Sequence, residues 1–401
     1  MATSPQATVH SPVPPPLTSI PRSERSLAPD IARGAMLLFI AIANVAIYLH
    51  GHSLDDYNHI ADAAAFDRVA LFIEQLLIAE RSRPMFAILY GFGMAVMASR
   101  MFGRGMDAKG VRKILRRRSW WLIAFGFVHA TFLFYGDILA PYGATGLIAL
   151  FFVHLSDRSL RRWLWGSSIY VVVVSLPVFA FFYTAAPEPV EFGLPPYVEQ
   201  LLFGPIASIA GTLTLVLLAL FIPLVIVGIM IQRGGWIDHP RDHLPQLKKT
   251  FASGMVVNVL SSLPFALIGL GAWHPSNGMH MGAAILTVLG GMYAGLGYIC
   301  GFALLAHRLS DYGRKGLPGA LAAVGERSLT CYLCQSFIMA PLLAVWGLGL
   351  GDGMGYLAAY GVAAGTWALT VVLAVSMSRA GVRGPFEVLL RRLTYGRDRT
   401  T

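Results

Sequence analysis

Charge is what this chain of 401 residues has least of: 13% of it is Asp, Glu, Lys or Arg, against roughly 25% in soluble domains. That shortage excludes an ordinary water-soluble fold, and 56% hydrophobic residues with a mean hydropathy of +0.61 point the same way. Cysteine is scarce too. Cys300, Cys331 and Cys334 all lie in apolar runs, which excludes a disulfide framework. Cys331 and Cys334 make a C-x-x-C without a second ligand pair, so they read as small packing residues rather than a zinc site. Acids are few, 21 against 31 Lys and Arg, for a net charge of +10. The cations sit in short loops beside apolar runs, a pattern set by membrane orientation and anionic lipid and not by nucleic acid.

What is present is a series of long apolar stretches. Runs near twenty residues match a hydrocarbon core about 30 Å thick at about 1.5 Å per residue. The fold class is therefore all-α, a polytopic transmembrane helical bundle. Ten spans are expected, near 31–50, 84–101, 118–135, 138–155, 163–184, 206–231, 250–271, 282–306, 327–350 and 356–378. The loops alternate between cation-rich and cation-poor, which places both termini in the cytoplasm and the protein in the plasma (inner) membrane as a multi-pass chain. Residues 66–80 carry Asp67, Arg68, Glu74, Gln75 and Glu80. They read as a short amphipathic helix at the outer interface; counting it as a span gives eleven. Residues 1–26 form a polar, proline-bearing tail, 27–380 the transmembrane domain, and 381–401 a basic amphipathic helix and tail at the cytoplasmic surface. Gly291-x-x-x-Gly295 and Gly297-x-x-x-Gly301 allow close helix approach and a possible homodimer.

Function is sought in the polar residues that lipid makes costly. Asn44 lies eleven residues beyond Arg33 and His129 eleven beyond Arg118, about 16 Å deeper in each helix. Asn258 and Gln335 fall at a similar depth on two further outward-running spans, and Ser328, Tyr332 and Gln335 share one face. A polar pocket open to the outer side is the expectation. Of these groups only His129 serves as an acid or base near neutral pH; the bland alternative is a hydrogen bond to a neighbouring helix. Asp137 follows at the outer mouth, either orienting His129 across a chain break near Gly136 or capping a helix. Arg81 and Arg83 are closely spaced outer-side cations, for an anionic ligand or an internal salt bridge. His50, His52 and His59 share a loop with Asp55 and Asp56 but match no zinc spacing, so no metal is expected. His50 stays in reserve as a catalytic candidate.

Several ordered motifs resemble the YeiB-like bacterial membrane proteins, a family with a domain of unknown function. They are Asp30-Ile-Ala-Arg33-Gly34 with Asn44, Arg83-Pro-Met-Phe86, Gly126-Phe-Val-His129, Tyr135-Gly-Asp137 through Tyr142-Gly, Gly325-Glu-Arg-Ser through Tyr332 and Gln335, and Gly384-Pro-Phe-Glu387. That family is similar to the transmembrane acyltransferase superfamily, which includes heparan-α-glucosaminide N-acetyltransferase. The resemblance implies transfer of an acyl, for instance acetyl, group from cytoplasmic acyl-CoA to an acceptor hydroxyl or amine beyond the membrane. Related acyltransferases carry a histidine where this chain has Asn44, so the resemblance implies that the base is His129 or one of His50, His52 and His59, or that the activity is absent. Asp137 completes the catalytic candidates. Arg33, Asn44, Arg81, Arg83, Tyr142, Tyr332 and Gln335 are the binding candidates, with Asn44 or Gln335 facing the oxyanion. Two rival readings remain: a transporter or flippase using the same pocket, with helix breaks at Gly136 and Pro264, and a scaffold without a ligand.

Overall fold

Backbone N–H and C=O groups in lipid have no water to bond, so each apolar run closes its hydrogen bonds within itself as helix. The computed structural model describes residues 27–50, 54–55, 59–60, 63–184, 193–310 and 313–396. The tail 1–26, His52 and Asp56 lie outside them. Helix α1 (Ala28–Val45) begins on Pro29, whose missing N–H is harmless in a first turn. Strands β1 (Leu54–Asp55) and β2 (His59–Ile60) pair antiparallel. Then come α2 (Ala65–Leu77), α3 (Ser82–Gly103), α4 (Ala108–Phe132), α5 (Leu139–Phe152), α6 (Asp157–Tyr170) and α7 (Leu176–Thr184). The second half holds α8 (Pro196–Leu217), α9 (Ile222–Arg233), α10 (Leu244–Gly269), α11 (Asn277–Arg308), α12 (Gly316–Glu326), α13 (Ser328–Leu343), α14 (Tyr356–Arg379) and α15 (Pro385–Tyr395). The molecule is an all-α membrane bundle.

Among the described residues, seven helical segments are long and apolar enough to cross a bilayer, and α5, α9 and α13 are shorter apolar helices. One end of the bundle gathers the arginine-rich junctions. There Arg233 bonds the Leu155 carbonyl and Asp157 at 2.8 and 2.7 Å, and Arg314 approaches Asp30 at 3.5 Å. This end is called the basic face below.

Three expectations need correction. The stretch near 206–231 is not one helix: α8 stops at Leu217 and α9 starts at Ile222, with Ala219 between them at φ +51°. The carbonyls freed by this break are taken by Tyr170 and Ser175, the latter in the π-helical turn Val171–Ser175 that joins α6 to α7. The expected break at Pro264 is absent, since α10 runs through it. The stretch near 327–350 ends as helix at Leu343, because the amides of Leu348, Leu350 and Gly351 fold back onto the carbonyls of Pro341, Leu342 and Leu343. Helix α2 turns its polar side inward, burying Glu74 and Gln75, while Phe66, Val69 and Ile73 point away from the bundle, the side an amphipathic helix offers to lipid.

The α11 glycines serve contacts inside this chain. A Cβ at Gly291 would strike the Glu80 backbone, one at Gly295 Pro84, and one at Gly297 the backbone of Gly254 in α10. Close helix approach explains them without a second copy. Helix α15 is docked rather than free at the surface. Glu387 accepts from the amides of Leu329 and Thr330 at 2.8 and 3.0 Å and from the Thr330 hydroxyl, capping the start of α13. Gly384 makes room, because a Cβ there would meet that carboxylate. Replacing Glu387 by Ala should therefore lower stability by about 1–2 kcal/mol. Thermal unfolding in detergent should give a lower midpoint, with Glu387→Gln between the variant and wild type.

Candidate functional site

Helix α4 ends where its last turn widens: the amides of Leu133 and Phe134, four and five residues on, both reach back to the His129 carbonyl at 3.0 Å. The chain then turns through Tyr135 and Gly136 and re-enters as α5, which brings Asp137 back beside α4. The result is a buried pair, His129 Nδ1 to Asp137 Oδ1 at 2.8 Å, with side chains 1% and 0% exposed. Asp137 Oδ2 also accepts the Ala140 amide at 2.9 Å, so one carboxylate holds the imidazole and caps α5. The two roles weighed for it coexist. Gly126 is what admits the carboxylate, since a Cβ there would collide with Asp137 Oδ2 and the Ala140 amide. A carboxylate on Nδ1 places that proton between them and leaves Nε2 as the basic nitrogen. Nε2 is buried and has no hydrogen-bond partner among the described residues. Tyr332 completes the group, its ring 5.3 Å from His129 and its hydroxyl 3.5 Å from Asp137 Oδ1.

Among the described residues the other expected members make their hydrogen bonds elsewhere. Asn258 binds Arg81 and donates to the Leu76 carbonyl at 3.0 Å, beneath α2. Arg81 is wholly buried, and it donates to the carbonyls of Gln75 and Ala79 at the end of α2. That is a cation on a helix C-terminus, the favoured sign there. Arg83 pairs with Glu80 and lies 5.7 Å from the Phe179 ring centroid, while its carbonyl accepts from the Tyr142 hydroxyl at 2.7 Å. Gln335 donates to the Leu37 carbonyl at 3.1 Å, so its amide N–H is engaged in joining α13 to α1. Asn44 is half-buried near the far end of α1. His50 is tied by its backbone to Gly351 and Gly353 and by Nδ1 to the Tyr48 carbonyl at 3.0 Å, apart from the buried pair.

A second feature lies on the basic face. A cavity of about 320 Å³ is bounded there by Arg33, Arg100, Arg118, Asp238 and Glu326, with Met36, Phe86 and Tyr90 further in. Arg33 is 3.6 Å from Asp30, and burial pushes the Asp238 carboxyl above its usual range. Glu387 and Leu390 of α15 also face the cavity. Beyond its inner end an aromatic layer continues, Phe86 to Tyr142 at 4.3 Å and Tyr142 to Phe221 at 4.8 Å between centroids. Tyr332 stands one helical turn past Ser328 and Leu329, which line the cavity. The buried pair and the cavity are thus neighbours separated by aromatic side chains. Sequence reasoning did not assemble this cavity; its signal was the arginine density around α4, and the fold alone shows which arginines share a hollow.

The same residues frame the comparison with known proteins. Residues 231–397 match the family described as "Protein of unknown function (DUF418)". "Uncharacterized protein YxaH" of Bacillus subtilis is 25% identical over 93% of this chain and 95% of its own length. "Uncharacterized protein YeiB" of Escherichia coli is 24% identical over 92% and 96%. This chain is similar to both proteins over nearly its whole length. The region matched by the family contains Tyr332, Gln335 and Glu387, whereas the buried His129–Asp137 pair precedes it. Among the described residues no group of three or more His, Cys, Asp or Glu side chains is placed to hold a metal.

The carboxylate of Asp137 should fix the tautomer of His129. Nitrogen NMR of ring-labelled protein should find the proton on Nδ1 in the wild type and a mixture of tautomers in Asp137→Asn. An unchanged spectrum would show that another group orients the ring.

Proposed function

We propose that this protein is a membrane acyltransferase in which His129 is the general base and Asp137 the group that orients it. The observation that carries the reading is the 2.8 Å bond from His129 Nδ1 to Asp137, with a buried, unpartnered Nε2 opposite it. A carboxylate behind an imidazole and a free nitrogen in front is the arrangement that general-base catalysis needs. The positive-inside bias assigns the basic face to the cytoplasm of a bacterial inner membrane, with the N-terminus on that side. Acyl-CoA then enters the cavity from the cytoplasm, its anionic part near Arg33, Arg100 and Arg118 and its acyl end toward Phe86 and Tyr90. Guanidinium groups suit phosphate oxygens, and the apolar inner end suits a pantetheine arm and a short acyl chain.

In the transfer step the acceptor hydroxyl or amine gives its proton to His129 Nε2 while its oxygen or nitrogen bonds the thioester carbonyl carbon. The carbon–sulfur bond breaks, and coenzyme A leaves as the thiol after taking the proton from the imidazolium. Asp137 stabilises that imidazolium. The aromatic layer of Phe86, Tyr142 and Tyr332 must part for the thioester to reach Nε2. Gln335 has one amide N–H on the Leu37 carbonyl, and the second N–H of that amide is the group that would reach the oxyanion.

The break between α8 and α9 favours a second reading, transport, since interrupted helices form solute sites in carriers. Its carbonyls at Leu217 and Leu218 are already engaged by Tyr170 and Ser175, which leaves them less to offer a solute. Transfer is therefore the preferred function. The test is acyl transfer by the purified protein in nanodiscs, supplied with acetyl-CoA and a panel of alcohols and amines. His129→Ala should lower transfer at least roughly 100-fold, and Arg118→Gln should raise the donor KM while sparing kcat. Transfer by His129→Ala at the wild-type rate would remove the proposed base, and solute flux without loss of the acyl group would favour transport.

A further inference from the structure

On the lipid-facing side of α1, α10, α11, α12 and α14 lies a second hollow of about 360 Å³, separate from the basic-face cavity. Its walls are Leu38, Phe39, Phe251, Phe302, Leu321 and Trp367, with Gly301 and Tyr298 behind. The polar atoms in this lining are engaged: Trp367 Nε1 donates to the Gly34 carbonyl at 3.1 Å and the Tyr298 hydroxyl to the Leu77 carbonyl at 2.8 Å. Nothing polar is left over to fix a hydrogen-bonding ligand, so the hollow suits hydrocarbon. Phe251 and Leu305, at its edge, are 37% and 39% exposed, which opens it sideways to the bilayer.

The end of this hollow nearest the basic face carries charge. Lys248 is three residues before Phe251 on α10, and Arg308 three after Leu305 on α11, each one turn away on the same helical face. Both side chains belong to exposed residues, as do Lys249 and Lys315 at the start of α12. Among the described residues Asp242 is the acid of this rim, about two turns before Lys248. An apolar slot that ends in lysine and arginine at the depth of the headgroups matches one ligand chemistry. We propose that this hollow is a binding site for an anionic glycerophospholipid of the leaflet on the basic face. One acyl chain lies against Phe251, Phe302 and Trp367, and the phosphate is held by Lys248 and Arg308.

The chain contributes through each buried methylene, and the headgroup through attraction to juxtamembrane cations. Its effect is to seal the seam between α1 and α11, which otherwise leaves aromatic side chains facing a void. The site is independent of the acyl-transfer reading and would hold if that reading failed.

The test is native mass spectrometry of the full chain released from nanodiscs that contain palmitoyl-oleoyl phosphatidylglycerol and phosphatidylcholine in equal amounts. Wild type should retain phosphatidylglycerol in preference to phosphatidylcholine, by roughly tenfold. The double variant Lys248→Ala/Arg308→Ala alters exposed side chains alone and should lose that preference while keeping its fold. Ala35→Phe, which fills the slot from α1, should lose the retained lipid altogether. Equal retention of the two lipids by wild type would overturn the proposal, as would a preference unchanged in the double variant. If Ala35→Phe does not fold, the double variant decides alone.

Discussion

The bond between His129 and Asp137 is the constraint around which the centre of the molecule is arranged. A carboxylate buried in the bilayer interior costs several kcal/mol unless charge and hydrogen bonds compensate it. Here His129 supplies one bond and the Ala140 amide another. To place both on one side chain the chain must stop α4 early, turn at Gly136 and restart as α5 against the glycine gap at Gly126. The closeness of α4 and α5, and the position of Tyr332 on α13, follow from that geometry.

The same economy runs through the few acids of the chain. Asp67 accepts the Leu357 amide at 2.8 Å and so caps α14 from α2. Glu387 caps α13 from α15, and Asp137 caps α5 from the turn before it. A helix N-terminus carries orphan N–H groups and a partial positive charge, so a carboxylate there is stabilised twice. Arg81 does the opposite at the end of α2. With few charges available, several of them fasten helix ends together, which is how a bundle without a hydrophobic drive between its helices acquires specific contacts.

Much of the architecture was legible in the sequence because hydropathy and loop charge are local quantities. The membrane class, the all-α fold and the places of α1, α3, α4, α11 and α14 follow from them. The break between α8 and α9 left one local signal, Pro223 in the first turn of α9; Leu218, Ala219, Leu220 and Phe221 are apolar and carry no turn residue, and the break is held by Ser175 and Tyr170 from a distant segment. Pro264 gave a false signal, because a transmembrane helix tolerates proline where neighbours satisfy the freed carbonyl. Depth along a helix was readable, but the direction a side chain faces was not. Asn44, His129, Asn258 and Gln335 therefore matched in height without meeting, and Asn258 found Arg81 instead. His129 and Asp137 met because the glycine-bearing turn between them is short, a feature visible at Gly136.

The central claim, that His129 and Asp137 act as one unit, is tested most directly by a double-mutant cycle on unfolding free energy in detergent, using His129→Phe, Asp137→Asn and the double variant. The account predicts a coupling of about 1.5–3 kcal/mol, the range for a buried hydrogen bond to a charged group. Additivity within about 0.5 kcal/mol would contradict it.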